Sequence, residues 1–333
     1  MKIRLIYDKS LEHILFALVR PQTLKELKER DIELSLLDGD VILVLQDNRN
    51  VILNEEILSW GKPIILWERN ASTKVEFVEA VNDPRVVMYI KGQAALKNRD
   101  LYDTLFQKDK YHYKLFWDVA SKKERKHMRL PAHSSVLIPE AKKKIVVFYN
   151  DGLWQRAYPY SRLKVDFGAK RKTDVWFVGK VDRQEQYAYT FHRRAAVRRM
   201  EKLERKIKTH ISTSKIKQPE YQKSLLTAKI VVSPWGFGEV CWRDFEAVMS
   251  GCVLIKPCMD FVETWPDIFV PGQTYFPCKP DFSDLKVVVD YILSSWKQLK
   301  GLRRHVRKIV IDSWKPDVIA QRFQSIVEKI SIR

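Results

Sequence analysis

The sequence contains few cysteines, and their spacing carries no metal or redox motif. Four of the 333 residues are cysteine: Cys241, Cys252, Cys258 and Cys278. A zinc site or a dithiol redox site usually needs two cysteines separated by two residues, and that spacing does not occur here. The sequence therefore predicts four buried free thiols in a reducing cytosol rather than a disulfide or zinc framework.

Long apolar runs are also missing. No apolar stretch approaches the about 20 residues that a helix needs to cross a bilayer. The N-terminal segment KIRLIY is apolar for only a few residues before Asp8. We therefore expect residues 2–7 to form a first strand rather than a signal peptide, and we expect no membrane-spanning helix.

Acidic residues are outnumbered by basic ones. The chain has 60 Lys and Arg against 41 Asp and Glu, a formal net charge of +19. Such an excess favours an anionic partner, namely nucleic acid, an acidic membrane surface or a phosphorylated ligand. A well-solvated basic surface with no specific partner is the alternative reading.

Short Val- and Ile-rich runs alternate with helical stretches along the whole chain. Predicted strands cover 2–7, 40–45, 63–68, 85–90, 144–149, 174–179, 229–234 and 252–257. This alternation is typical of parallel sheets with helices on both faces. Because it restarts at 144–149, we predict an α/β protein with two Rossmann-like domains, 1–140 and 141–315. The segment 316–333 is expected to form a helix that crosses back towards the first domain.

Two helices are predicted from apolar stripes. In residues 190–208, apolar side chains recur at Ala196, Met200, Leu203 and Ile207, and basic side chains fill the other faces. The second predicted helix is 316–330, in which Pro316 suits the first helical turn.

The stretch SPWGFGEVCWRDFEAVMSGCVLIKP, residues 233–257, combines a glycine-rich loop with a charged helix. Gly236, Gly238 and Glu239 lie in the loop that follows the strand 229–234. Glycines let backbone approach a ligand closely, and the start of the next helix favours an anion. Arg243 and Glu246 are three residues apart and share a helix face, so they could hold a phosphate and a ribose. An ordinary surface ion pair is the alternative.

The segment RDFEAVMSGCVLIKP resembles the nucleotide-sugar signature of GT-B glycosyltransferases, the branch with an R-x-x-E pair that includes exostosin-like enzymes and the phage DNA β-glucosyltransferase. The resemblance implies a GT-B fold, two Rossmann-like domains facing a central cleft, with the match best over 229–275. It implies that Arg243 binds the donor diphosphate and that Glu246 binds the ribose hydroxyls. The chain departs from the commoner E-G-F-G form because Trp235 replaces its leading Glu.

The resemblance also implies basic residues that neutralise the donor phosphates after an early strand of the second domain. Lys180 and Arg183 follow the strand 174–179, and we expect them to contribute before the helix residues Arg193 and Arg194. Surface charge is the alternative for each.

Inverting glycosyl transfer needs a base that removes a proton from the acceptor hydroxyl. Glu68 ends the third predicted strand and is the first candidate, Asp8 is the second, and His112 and His133 follow. An exposed Glu68–Arg69 pair is the competing interpretation. No D-x-D metal motif is present, and in GT-B enzymes Arg, Lys and helix dipoles usually stabilise the leaving diphosphate.

The leading functional hypothesis is a metal-independent GT-B glycosyltransferase, with inversion favoured, that has no cofactor apart from its nucleotide-sugar substrate. Its expected acceptor is a glycan or glycolipid in surface polysaccharide or lipopolysaccharide synthesis. The expected place is the cytoplasm, either free or peripheral to the anionic inner membrane. The alternatives are a glycosyltransferase that modifies DNA and a non-catalytic nucleic-acid-binding protein, although no RNP, helix-turn-helix or zinc-finger signature is present.

Overall fold

A computed structural model describes residues 1–47, 49–69, 72–92, 94–103, 111–127, 136–149, 159–181, 188–203 and 205–330. Within these ranges the protein contains two separate parallel sheets. The first has six strands in the order β2-β1-β3-β4-β5-β7, all parallel. Its strands are β1 Lys2–Tyr7, β2 Glu33–Ser35, β3 Val41–Gln46, β4 Ile64–Glu68, β5 Val86–Lys91 and β7 Ile145–Val147.

The second sheet has five parallel strands in the order β13-β11-β10-β8-β9. Its strands are β8 Thr173–Val178, β9 Thr209–Ser212, β10 Ala228–Val232, β11 Val253–Pro257 and β13 Phe276–Cys278. A short antiparallel pair, β6 Ala95–Leu96 with β12 Val262–Glu263, joins the two halves of the chain.

Helices cover both sheets. In the first half they are α1 Glu12–Val19, α2 Pro21–Lys28, α3 Glu55–Leu58, α4 Val78–Asn82, α5 Tyr111–Val119, α6 Lys122–His127 and α7 Pro139–Lys143. In the second half they are α8 Ala188–Glu201, α9 Gln218–Leu226, α10 Trp242–Met249, α11 Leu285–Ser294, α12 Lys300–Ser313 and α13 Pro316–Val327. Single 3₁₀ turns occur at Lys9–Leu11, Arg99–Asp103 and Glu328–Ile330.

The central strands explain why the apolar runs are continuous rather than alternating. All residues of β3, β4 and β11 are buried. A parallel strand with helices on both faces buries both sets of side chains, so period-two alternation disappears. The predicted α/β class, with two Rossmann-like parallel sheets, is confirmed.

The strand predicted at 144–149, which was expected to begin the second domain, lies in the first sheet. β7 pairs with β5 and forms the edge of the first sheet, so the expectation that 144–149 begins the second sheet is wrong. The chain passes to the second sheet after Val147 rather than near residue 140. The apolar side chains of this strand are buried at the edge of the first sheet, as they would be in a new sheet. The sequence pattern alone therefore does not distinguish these two positions.

The long basic helix is shorter than predicted. α8 ends at Glu201, and residues 209–212 form β9 instead of continuing the helical stripe. The main-chain nitrogen of Asp174 donates to the Lys208 carbonyl, and the Asp174 carboxylate accepts a bond from Lys208 N at 2.9 Å. These bonds hold Lys208 beside β8, at the start of β9.

The C-terminal helix α13 lies against the first domain, where it packs on α2 and α1. A guanidinium nitrogen of Arg322 on this helix donates to the Val147 carbonyl of β7. A second link between the domains is the Arg99–Glu263 ion pair, at 2.7 Å. Over the described ranges, no helix is long and apolar enough to cross a membrane.

Candidate functional site

A cavity of about 620 Å³ lies where the two domains face each other. The first domain contributes Asp47 and Arg69, which follow β3 and β4. The second contributes the end of β8, helices α8 and α9, the glycine loop and the start of α10. From these elements the lining residues are Val178, Arg193, Gln218, Tyr221, Gly236, Phe237, Gly238, Val240, Cys241, Trp242, Arg243 and Glu246. Of the predicted binding residues, the cavity therefore brings together Gly236, Gly238, Arg243 and Glu246.

Helix α10 is held in place by a buried carboxylate at its first turn. Asp244 accepts bonds from the Cys241 main-chain nitrogen at 2.8 Å and from the Ser233 hydroxyl at 2.5 Å. Its other contact is an ion pair with Lys256 of β11, at 3.1 Å, in which both side chains are fully buried. These contacts tie α10 to β10 and β11, so the neighbouring Arg243 is presented to the cavity from a fixed helix.

Two arginines converge on the cavity without a carboxylate partner. Arg243 donates to the Val178 carbonyl at 3.2 Å and lies over the Phe177 ring at 4.9 Å. Arg193 donates to the Lys180 carbonyl at 2.9 Å. Among the described residues neither guanidinium forms an ion pair. Burial and the charge of Arg243 lower the pKa of Arg193. A buried cation, Arg243, and a half-buried one, Arg193, repel each other, and a bound anion would stabilise this arrangement.

Glycines make the room for these guanidinium groups. A Cβ on Gly179 would lie 2.7 Å from Nη2 of Arg243, and a Cβ on Gly236 would lie 3.1 Å from Nη2 of Arg193. Any larger residue at either position would push against the cation. The two glycines matter because the absence of a side chain leaves room for the guanidinium groups. Neither has a positive φ, so no unusual backbone conformation requires glycine at these positions.

Glu246 is bound by a tyrosine rather than by Arg243. The Tyr221 hydroxyl of α9 donates to the Glu246 carboxylate at 2.6 Å. Burial and the Glu246 charge raise the pKa of Tyr221 strongly, so its hydroxyl stays a donor. Arg243 and Glu246 are both among the described residues, and they form no ion pair with each other. The alternative of an ordinary surface salt bridge is therefore wrong.

Glu239 is the one predicted glycine-loop residue that does not line the cavity. Its side chain is 0% exposed and points into the first domain. Thr73 donates to it from its hydroxyl at 2.7 Å and from its nitrogen at 2.9 Å, and Nδ1 of His112 lies 2.9 Å away. Burial would raise the pKa of Glu239, but His112 and Thr73 outweigh it and hold the pKa at about 2. Glu239 therefore anchors the loop across the domain interface.

Glu68 is the last residue of β4, as predicted, but its side chain is 0% exposed and does not line the cavity. It forms an ion pair with Lys91 at 2.7 Å and accepts a bond from the Tyr89 hydroxyl. Burial raises its pKa, and Lys91 opposes that effect. The expectation that it faces the cleft is wrong because Lys91, its pairing partner on β5, and Tyr89 hold it inside the first domain.

Asp8 and Lys180 also lie outside the cavity lining. Asp8 caps the 3₁₀ turn after β1 by accepting bonds from Ser10, which lower its pKa. Lys180 is exposed, and its carbonyl accepts a hydrogen bond from Arg193. His112 is buried beside Glu239. Arg183 and His133 lie outside the described residues.

Asp47 is the carboxylate that the first domain does present to the cavity. It follows β3 directly, and its Oδ1 accepts from the nitrogens of Arg49 and Asn50, both at 2.9 Å. Its Oδ2 lies 3.5 Å from Nη1 of Arg69. One oxygen is thus fixed by its own turn, and the other faces Arg69 at the cavity wall.

Sequence reasoning missed Asp47 and Tyr221, and it ranked Arg193 behind Lys180 and Arg183. The only available signal for Asp47 was its place after a strand, which Asp8 and Glu68 share. Arg193 was one of eight basic residues along a predicted helix.

The burial of the cysteines was only partly predicted. All four are free, but Cys241 and Cys258 are half-buried, and Cys241 lines the cavity. Among the described residues, no group of three or more His, Cys, Asp or Glu could hold a metal ion.

No protein-family model and no curated protein matches the sequence. Solved structures with a similar fold include HepE from Anabaena in complex with UDP-glucose, at 11% identity and a TM-score of 0.43, over 100% of both chains. The DNA-modifying enzyme β-glucosyltransferase matches at 13% identity and a TM-score of 0.43, over 98% of this chain and 99% of the other.

A GtfA/B complex matches at 11% identity and a TM-score of 0.46, over 92% of this chain. This chain spans 59% of that protein's length. All three TM-scores are below 0.5.

Proposed function

We propose that this protein is a glycosyltransferase that moves a sugar from a nucleoside diphosphate donor to an acceptor hydroxyl. The observation that carries the proposal is the pair of guanidinium groups, Arg193 and Arg243, that meet in the interdomain cavity without carboxylate partners. Arginine provides a planar fork that matches phosphate oxygens. A diphosphate between the two cations would relieve their mutual repulsion.

The nucleoside would lie next to the diphosphate, towards α9. Glu246 is oriented by Tyr221 and can accept hydrogen bonds from two neighbouring ribose hydroxyls. Gln218, one turn before Tyr221 on the same helix, adds an amide that can bond the edge of a base. A cavity of about 620 Å³ is within the usual range for a nucleotide-sized ligand.

Asp47 takes the role of general base that the sequence suggested for Glu68. The acceptor oxygen attacks the anomeric carbon of the donor sugar as the bond from that carbon to the diphosphate oxygen breaks. The acceptor proton passes to the Asp47 carboxylate, and the diphosphate leaves with its charge compensated by Arg193 and Arg243. A base on the acceptor side supports one in-line displacement, so the anomeric configuration is inverted. No metal is needed in this scheme.

The proposed acceptor is a glycan or glycolipid of surface polysaccharide synthesis. The formal charge of +19 suits an enzyme that works beside anionic lipid or a phosphorylated carrier. The same charge favours a second candidate, a glycosyltransferase that modifies DNA. Binding to duplex DNA that weakens steeply as salt rises would support that second candidate.

A hydrolysis screen tests the proposal. The protein is incubated with UDP-, GDP-, ADP-, CDP- and TDP-sugars, with and without EDTA, and release of the nucleoside diphosphate is followed. We expect slow release from at least one donor, unaffected by EDTA and abolished in Arg243→Ala. A protein that cleaves none of these donors and binds none of the diphosphates would contradict the proposal.

A further inference from the structure

Two aromatic side chains are exposed at the mouth of the interdomain cavity. Phe237 is 54% exposed and Trp242 is 44% exposed, and both line the cavity. Phe237 lies in the glycine loop, and Trp242 is the first residue of α10. Most large aromatic side chains are buried, so two exposed ones at one cavity point to contact with a ligand.

The loop that carries Phe237 is anchored on both sides. Trp235 is buried, where its ring stacks on His192 at 4.8 Å. Glu239 is fixed by Thr73 of the first domain at 2.7 Å. Between these anchors, Gly236 N donates to Gly238 O at 3.0 Å and closes a turn with Phe237 at its tip. The contacts of the neighbouring residues therefore hold Phe237 in its exposed position.

The other parts of the cavity already have ligand groups assigned by the proposed function. Arg193 and Arg243 would take the diphosphate, and Glu246 would take the ribose. A base attached to that ribose would be met by Gln218 and Tyr221 on α9, which lie beside Glu246. Phe237 and Trp242 line the same cavity as Asp47 and take no part in donor binding in that scheme, which leaves them to contact the acceptor.

We propose that Phe237 and Trp242 form an acceptor subsite that stacks against the face of a sugar ring. This inference rests on the proposed function and names its acceptor class as carbohydrate. A pyranose has an apolar C–H face that packs on aromatic rings and an equatorial edge of hydroxyls. Asp47, the proposed base, lines the same cavity, so a sugar bound on the aromatic pair would present its hydroxyls in the space that Asp47 faces. A hydroxyl nucleophile and an apolar ring face would thus be recognised by residues of the two domains that line one cavity.

The test uses fluorine NMR on the full chain labelled with 5-fluorotryptophan. The resonance of Trp242 is assigned by its loss in Trp242→Phe. Methyl glycosides and short oligosaccharides are titrated with UDP present, and a 12-nucleotide single-stranded DNA is titrated in parallel. We expect at least one saccharide to shift the Trp242 resonance saturably, and Phe237→Ala to weaken that binding about 2- to 12-fold, the usual worth of an aromatic contact. Tyr291→Ala removes an exposed ring of α11 outside the cavity and should leave the titration unchanged.

The outcomes separate this inference from the proposed function. If UDP raises the melting temperature but no saccharide shifts the resonance, the acceptor subsite is wrong and the donor site stands. A saturable shift caused by the DNA alone would replace carbohydrate with nucleic acid. A shift that UDP alone produces completely would place the nucleobase on Trp242. If saccharides bind but no nucleoside diphosphate does, the proposed transfer reaction fails while the aromatic subsite stands.

Discussion

At the scale of single residues, burial separates the two acids that follow central strands of the first sheet. Glu68 ends β4 and is enclosed by Lys91 and Tyr89. Asp47 comes directly after β3 and lines the cavity. A carboxylate that must accept a proton from a substrate has to reach that substrate, and only Asp47 has access to the cavity. A carboxylate at the end of a central strand thus serves structure in one case and, we propose, chemistry in the other.

Substitution of the two acids should give opposite results. Asp47→Asn should lower kcat by about 10²- to 10⁴-fold, the usual contribution of a general base, and should leave the melting temperature nearly unchanged. Glu68→Gln should destabilise the fold by about 3–5 kcal/mol, because it leaves the Lys91 charge buried without its partner. Steady-state kinetics and thermal unfolding of both variants check this. Normal turnover in Asp47→Asn would remove it from the reaction.

Glu246 should discriminate between ligands with and without a ribose. Glu246→Ala removes the acceptor of the ribose hydroxyls, so it should weaken UDP or GDP binding by about 1.5–3 kcal/mol. Pyrophosphate touches only the arginines and should bind as in wild type. Isothermal titration calorimetry with both ligands measures the two affinities. Equal losses for the nucleotide and for pyrophosphate would show that Glu246 acts on the arginines instead of the sugar.

At the scale of elements, the glycines after β8 and β10 define the space of the arginine pair. Gly179→Ala should displace the Arg243 guanidinium, whose Nη2 would lie 2.7 Å from the new Cβ. Gly236→Ala should crowd Arg193 in the same way, less severely, at 3.1 Å. Calorimetry should show weaker nucleoside diphosphate binding in both variants, with Gly179→Ala the more affected.

Gly301 provides the matched control for these substitutions. It lies in α12, and a Cβ built there meets no atom within 4 Å. Gly301→Ala should bind the diphosphate normally and should stabilise the helix by about 0.5–1 kcal/mol. Unchanged affinity in both Gly179→Ala and Gly236→Ala would contradict the account of the arginine site.

Element patterns also show what the sequence can and cannot reveal. The strands around the site were predicted within one or two residues because parallel buried strands form continuous apolar runs. The spacing of Arg243 and Glu246 placed them on one helix face, and the resemblance to the R-x-x-E signature implied their place at a ligand site. Glu68 was misplaced because its burial depends on Lys91, which lies opposite only when β4 and β5 pair in register. Such long-range neighbours leave no local trace in one sequence.

At the scale of the whole molecule, the glycine loop links the two domains. Glu239 belongs to the second domain, and it is bound by Thr73 and His112 of the first. The pair β6–β12, the Arg99–Glu263 ion pair and the packing of α13 on α2 add further links. A ligand loop that is held by both domains keeps its shape only while the domains stay together.

Glu239→Gln should therefore weaken the interface in a pH-dependent way. The folded-state pKa of Glu239 is about 2, below its ordinary value of 4.5. The stability that its charged form contributes is full above about pH 4.5 and is lost as pH falls towards 2. At pH 7 the variant should be about 2–3 kcal/mol less stable than wild type, and the difference should shrink between pH 4.5 and 3. Urea unfolding across this range measures it. A constant difference would show that the Glu239 charge is not responsible.

The central claim is that Arg193 and Arg243 together form a diphosphate site between the domains, and thermal unfolding with nucleoside diphosphates tests it most directly. A ligand that binds only the folded state raises the melting temperature, and the rise grows with the logarithm of its concentration above the Kd. We predict that at least one of UDP, GDP, ADP, CDP and TDP raises the melting temperature of wild type. The same ligand should have no effect on the double variant Arg193→Ala/Arg243→Ala, while Arg304→Ala, on the exposed side of α12, should respond like wild type. A rise of equal size in wild type and the double variant, or no rise with any of the five, would contradict the account.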